Sequence, residues 1–548
     1  MKKTMIALML VLAMLISVMP MGMAETAERE PVTLNVSGIL TTNWNDYPEN
    51  SQAKFLKEEF NVTLNVIDFS ERKEAMMASG DLPDIFLIEA YEMAPLMESE
   101  FVLPLDDLLK EYGKDIIPDV EGMWDYLKVA MGDGEHIYAI TGFGLPAGEL
   151  DLSGNFFDQN WGLNVAWDRY KELGCPEVDN SIDSLYNLMV DLVNVKPTTD
   201  DGLPVYAIAY PTIEMRGRGL YAGQLFAEYS PVNFVGIDLK TGELNRLYTD
   251  PQSSIWQHEY LYWKLNQAGL LDPDSFLMDF DADSLKAVNG QYVATFYHDI
   301  TGNATRTAAA EGRIDGFQYI PVKDSSIWAG SDGLYGGRNA RLISAKCENP
   351  ERAMEVMNWA FSVEGARSMR SGFQGETWDY VDGVPTLNEK AKEAYQTMND
   401  FYFESGLAFG WNGGRGEKCA DGYSQDLFSE YAYQSESMSA QVKDVEATYG
   451  KHMGLVVMDK VAEGYMTTQA ILDWTVINQC ATLPDDMQRI LNEVDAVMNE
   501  GMVACVMAST EEEFNTMRDA LIEQVKAMGI TQVEDWFINS YNELMAAK

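Results

Sequence analysis

The stretch AMMASGDLPDIFLIE, Ala75 to Glu89, decides how this chain is read. A helical end runs into Ser79-Gly80-Asp81, then Pro83-Asp84, then four consecutive apolar residues, Ile85-Phe86-Leu87-Ile88. Gly80 supplies the left-handed residue that closes a helix, and Pro83 stops the helix from continuing. An unbroken apolar run after the turn suits a strand buried on both faces, as in a parallel sheet. Its carboxyl end, Glu89-Ala90-Tyr91, is where an open α/β sheet places a ligand.

Upstream, Val32 to Ile39 alternates as a strand, and the loop Thr41 to Tyr47 follows it. A helix is expected over Gln52 to Phe60 and a second, β-branched strand over Val62 to Ile67. With Ile85 to Ile88 as the third strand, this makes β-α-β-α-β, the unit of a sheet with right-handed crossovers. SGDLPDI resembles the (S/A)GDxPDI turn of the family 1 extracellular solute-binding proteins of ABC importers, particularly their long oligosaccharide-binding branch. Further segments resemble the same family in the same order. They are Asn160 to Pro176, Gly269-Leu-Leu-Asp-Pro-Asp274, Asn289 to Asp299, and ISAKCENPERAMEVMNWAFSVEG from Ile343 to Gly365. Gly372 to Pro385 and GITQVEDWFINSYNEL, from Gly529, complete the set.

The resemblance implies a two-lobed α/β fold of the periplasmic-binding-protein type (type II), with mixed sheets flanked by helices and a hinged cleft. The lobes are expected at 25–145 plus 295–346 and at 146–294 plus 347–548, with crossings near 140–146, 289–295 and 343–350. It also implies capture of a carbohydrate, docking on a membrane permease, and a monomer.

Composition agrees with a globular secreted protein. The 548 residues are 46% hydrophobic and 11% aromatic, which excludes a disordered or fibrous chain. The 39 Lys and Arg face 86 Asp and Glu, for a net charge of −47. That surface repels nucleic acid and anionic membrane and disfavours polyanionic ligands, so a neutral oligosaccharide is expected. Lys2-Lys3, the apolar run Thr4 to Met19, Pro20 and Gly22-Met23-Ala24 read as a signal peptide over 1–24. No cysteine stands near that site to carry a lipid, so a protein that is released, periplasmic or held at the outer face of the membrane by the uncleaved segment is expected. Five scattered cysteines define no disulfide framework.

Covalent chemistry has no signature here. The four histidines form no HExxH pair, Gly410 to Lys418 fits neither a P-loop nor GxGxxG, and no GxSxG elbow occurs. No catalytic residue, cofactor or metal site is expected, and Thr198 to Gly202 offers too few oxygens for calcium. Two alternatives stay open: a secreted polysaccharide lyase or hydrolase, and a peptide-binding protein of the same fold. Sugar rings have apolar C–H faces and polar edges, so a sugar site needs aromatic platforms beside hydrogen-bonding side chains. The candidates at strand ends and in loops are Asn43, Trp44, Glu89, Tyr91, Tyr297, Asp299, Trp328, Trp378 and Trp411. Trp378→Ala is expected to weaken binding with little loss of stability.

Overall fold

The computed structural model describes residues 29–546 apart from 41, 68, 70–71, 90–91, 118–121, 142–161, 212–214, 328–338, 410–417, 474–475, 478–479 and 481–482. The expected signal peptide lies outside the described residues.

The first unit is built on a four-stranded sheet in the order Asn339–Ile343, Ile85–Glu89, Val32–Ser37, Val62–Val66. Val32–Ser37 runs parallel to both neighbours, with Val32 opposite Val62 and Val36 opposite Ile85. Asn339–Ile343 closes the other side antiparallel. Position in the sheet explains the patterns. The edge strand Val62–Val66 alternates buried and exposed, whereas the inner strand buries Ile85, Phe86 and Ile88 and half-buries Leu87, so neither of its faces is open.

The SGDLPD turn holds the amino end of this sheet together. Gly80 has φ +64°, and a Cβ there would lie 2.7 Å from the Phe101 ring. The Asp84 carboxylate accepts the Asn35 N–H at 2.7 Å, and its carbonyl accepts the Ser344 N–H at 3.1 Å. One residue therefore ties three strands.

The second unit centres on Asn164–Ala166, flanked antiparallel by Ala294–Thr295 and Phe317–Tyr319. A separate antiparallel sheet, Glu228–Val232, Val235–Asp238 and Leu244–Arg246, packs with the terminal helices Asp485–Val506, Glu511–Met528 and Ile530–Ala546. The last of those starts after the cap at Gly529, and the one before it opens on the expected capping box. There Thr510 Oγ1 accepts the Glu513 N–H at 3.1 Å, and the Glu513 carboxylate accepts the Ser509 N–H at 2.7 Å.

Two boundaries differ from the expected lobes. Residues 295–327 do not return to the first unit, because Ala294–Thr295 and Phe317–Tyr319 occupy the two sides of Asn164–Ala166. Asn339–Ile343 is the segment that returns. Helix Pro350–Phe361, expected in the second lobe, buries Met354, Met357 and Phe361 in the first core. Helical periodicity announces that this face is buried, but both units offer a sheet to cover it, and only tertiary packing selects one. Ile140 and Ala340 belong to the first core and Leu163 and Ile327 to the second, and a small satellite core includes Trp378, Leu407, Phe428 and Tyr433.

Candidate ligand-binding cavity

The short strand Ala294–Thr295 ends in a side-chain turn. Thr295 Oγ1 accepts the Tyr297 N–H at 2.9 Å and donates to the Tyr297 carbonyl at 2.9 Å. The chain swings off the sheet into helix His298–Ala310, with Asp299 in the first turn, where a carboxylate complements the helix dipole. His298 Nε2 lies 3.0 Å from Asp299 Oδ1.

That helix has two faces. Ile300, Ala304 and Ala308 are buried in the unit, while Asp299, Gly302, Asn303 and Arg306 recur at helical spacing along a cavity of about 610 Å³. Asn303 Nδ2 donates to Ser284 Oγ at 2.9 Å, tying the helix to Phe280–Val288. Three amides form the floor: Asn164, Gln318 and Gln441 are only 5%, 8% and 4% exposed. Each is held in place. Asn164 donates to Gly162 O at 3.1 Å, Gln318 to Tyr319 O at 3.3 Å and Gln441 to Phe317 O at 3.0 Å.

An aromatic rim completes the cavity. Phe280 is 43% exposed and its ring stands 6.2 Å from Tyr297, which in turn packs 5.2 Å from Tyr221. Burial pushes both phenols upward, so both keep their protons at neutral pH. A flat apolar platform beside fixed amides, a carboxylate and a guanidinium suits a ligand with C–H faces and hydroxyl edges.

Of the residues singled out in the sequence, Asp299 lines this cavity and Tyr297 supports its rim. Asn43 is exposed in the short helix Thr42–Asp46 and lines neither that cavity nor the smaller one beside Trp44. Glu89 ends its strand, with its side chain outside the described residues, as are Tyr91, Trp328 and Trp411.

Two candidates must be corrected. Trp44 is buried: its Nε1 donates to Leu64 O at 3.2 Å and its ring meets Phe409 at 5.3 Å. Beside it, Asn45 bonds both Val66 N and Val66 O, so this loop covers the open edge of Val62–Val66. Trp378 is also buried, in the satellite core with Leu387 and Phe428. Its Nε1 donates to Gly372 O at 3.0 Å, and the Arg367 guanidinium sits 5.3 Å above the ring. The expectation for Trp378→Ala therefore reverses. It is expected to cost about 3–5 kcal/mol of stability and to leave ligand affinity of the folded protein unchanged. Denaturant unfolding and titration of the same variant check both halves.

Phe280, Asn164, Gln318, Gln441, Asn303 and Arg306 were missed in the sequence. The polar stripe Asp299–Asn303–Arg306 across Gly302 was a local signal, but the amides come from distant segments and carry none.

No family model and no curated protein sequence matches the chain. Solved structures do. A solute-binding protein associated with a human-milk-oligosaccharide-binding (HMO) ABC transporter, from Bifidobacterium longum infantis, is 15% identical with a TM-score of 0.63, over 94% of this chain and 99% of that one. The S. pneumoniae ABC-transporter substrate-binding protein FusA, in complex with kestose, gives 12% identity and a TM-score of 0.62 over 94% and 100%. The alginate-binding protein AlgQ2 gives 16% and 0.59 over 94% and 98%. With its mixed first sheet and near-complete overlap, this chain has the two-lobed α/β fold of the ABC-transporter solute-binding proteins.

Proposed function

We propose that this protein captures an oligosaccharide for an ABC importer, closing its two lobes on the ligand by a hinge motion and delivering it to a membrane permease. It acts outside the cytoplasmic membrane as a monomer, after removal of residues 1–24. The observation that carries this reading is the cavity beside His298–Ala310, where the exposed Phe280 ring stands against fixed polar side chains. The structural neighbours support it, since their names pair ABC transport with milk oligosaccharides and kestose. A surface of net charge −47 repels polyanionic chains, which favours a ligand carrying little or no charge.

Binding rather than bond cleavage is the task proposed. A panel of oligosaccharides and peptides, read by thermal shift, tests this directly. A binding sugar at a hundredfold excess over its Kd adds about 2.7 kcal/mol of stability. Phe280→Ala is expected to weaken that sugar about fivefold to tenfold by removing the platform. A shift with peptides and none with any sugar moves the reading to a peptide-binding protein. Product released from a glycan moves it to an enzyme.

A further inference from the structure

Arg306 gives the cavity a feature that capture of a wholly neutral sugar does not need. Its side chain folds back along the cavity face of its helix. Its Nη1 lies 3.6 Å from where a Cβ on Gly302 would stand, an ordinary contact distance, so the guanidinium lies over the helix at Gly302. Nη2 donates to Asn303 Oδ1 at 2.5 Å, and Asn303 is itself anchored to Ser284. The exposed guanidinium is thus tethered on the cavity face of its helix.

Its partner is an amide. In a chain with 86 acidic residues, Arg218, Arg246 and Arg367 all pair with carboxylates, yet among the described residues Arg306 makes no ion pair. The cavity's own carboxylate, Asp299, stands two helical turns away, about 10 Å along the axis, and is engaged by His298. An arginine fork left with a neutral partner keeps donors for a planar anion, which it binds in bidentate fashion.

We propose that Arg306, set on Gly302 and Asn303, is a carboxylate-recognising subsite, and that the ligand is an oligosaccharide bearing one acidic group. This rests on the reading of the cavity as a carbohydrate site. It is compatible with the acidic surface: a single carboxylate meets a local guanidinium, whereas a polyuronate meets the whole negative field. Asp299 and the floor amides then receive the hydroxyl-bearing part of the same ligand.

The test titrates the full mature chain with matched probes: sialyllactose against lactose, and an aldobiouronic acid against the corresponding neutral disaccharide. One acidic probe of a pair is expected to bind at least about tenfold tighter than its neutral match, with an affinity that falls as salt rises. Arg306→Gln is expected to abolish that preference, weakening the acidic probe at least about tenfold and the neutral probe by far less, with the melting temperature unchanged. Arg306→Lys, which keeps the charge without the fork, is expected to restore part of it. Equal or tighter binding of the neutral probes, unaffected by Arg306→Gln, overturns the subsite and leaves the carbohydrate reading standing. Binding of neither class overturns both.

Discussion

Glu259→Leu is expected to cost about 3–5 kcal/mol, because it strands a positive charge inside the protein. Glu259 is fully buried on helix Ser254–Gln267, and Arg218 is 3% exposed. Arg218 Nη1 donates to Glu259 Oε1 at 3.1 Å and to the Tyr210 hydroxyl at 2.7 Å. The Tyr210 hydroxyl donates to Glu259 Oε2 at 2.8 Å, and Arg218 Nη2 donates to Pro211 O at 3.2 Å. Burial raises the Glu259 carboxyl, and the Arg218 charge opposes that rise. Both Glu259 oxygens and both Arg218 Nη groups are committed to this cluster, while Arg218 Nε is already buried without a partner, so deleting the carboxylate leaves the guanidinium without its counter-charge. Pairing the change with Arg218→Met removes the stranded charge and is expected to recover most of the loss. Chemical denaturation of the three variants checks the cycle. A single Glu259→Leu within about 1 kcal/mol of the parent would show that the pair contributes no more than a surface one.

The neighbouring residue sets the second large effect. His258 is 1% exposed, with its ring 4.8 Å from Tyr262 and 5.2 Å from Phe296. Burial, aided by the Arg218 charge, pushes its pKa down to about 3. The unfolded chain therefore takes up the proton first. Stability from this group is complete above pH 6.5 and is lost as pH falls from there towards 3. At pH 4.5 the loss is about 3 kcal/mol. Asp283 acts in the opposite sense: burial raises its carboxyl to about 6, so the folded state binds that proton first and gains stability as pH falls through 6. The parent's net slope is blunted for that reason, and comparison with His258→Phe isolates the histidine. The stability difference between His258→Phe and the parent is expected to shift in the variant's favour by about 3 kcal/mol from pH 7 to pH 4.5. A difference that does not change with pH would disprove the mechanism.

The deciding turn was legible because its constraints are local. Gly80 and Pro83 act on their own backbone, and the run Ile85 to Ile88 reflects two covered faces of one inner strand. Aromatic residues were not legible in the same way. Trp44 covers a strand edge, Trp378 fills a satellite core and Phe280 stands exposed at a cavity rim. The three share a chemistry but not a neighbourhood, and neighbourhood decides whether a ring packs or binds.

The amino-acid order alone determined the strand–helix alternation of the first unit, the turn at its base, the acidic surface and the helix caps, since each depends on residues within a few positions of one another. Which sheet received residues 295–327 and helix Pro350–Phe361 was settled by tertiary packing, as was the meeting of Asn164, Phe280, Arg306, Gln318 and Gln441 around one cavity. Those contacts join segments nearly three hundred residues apart, and periodicity along a chain carries no record of what its buried face will meet.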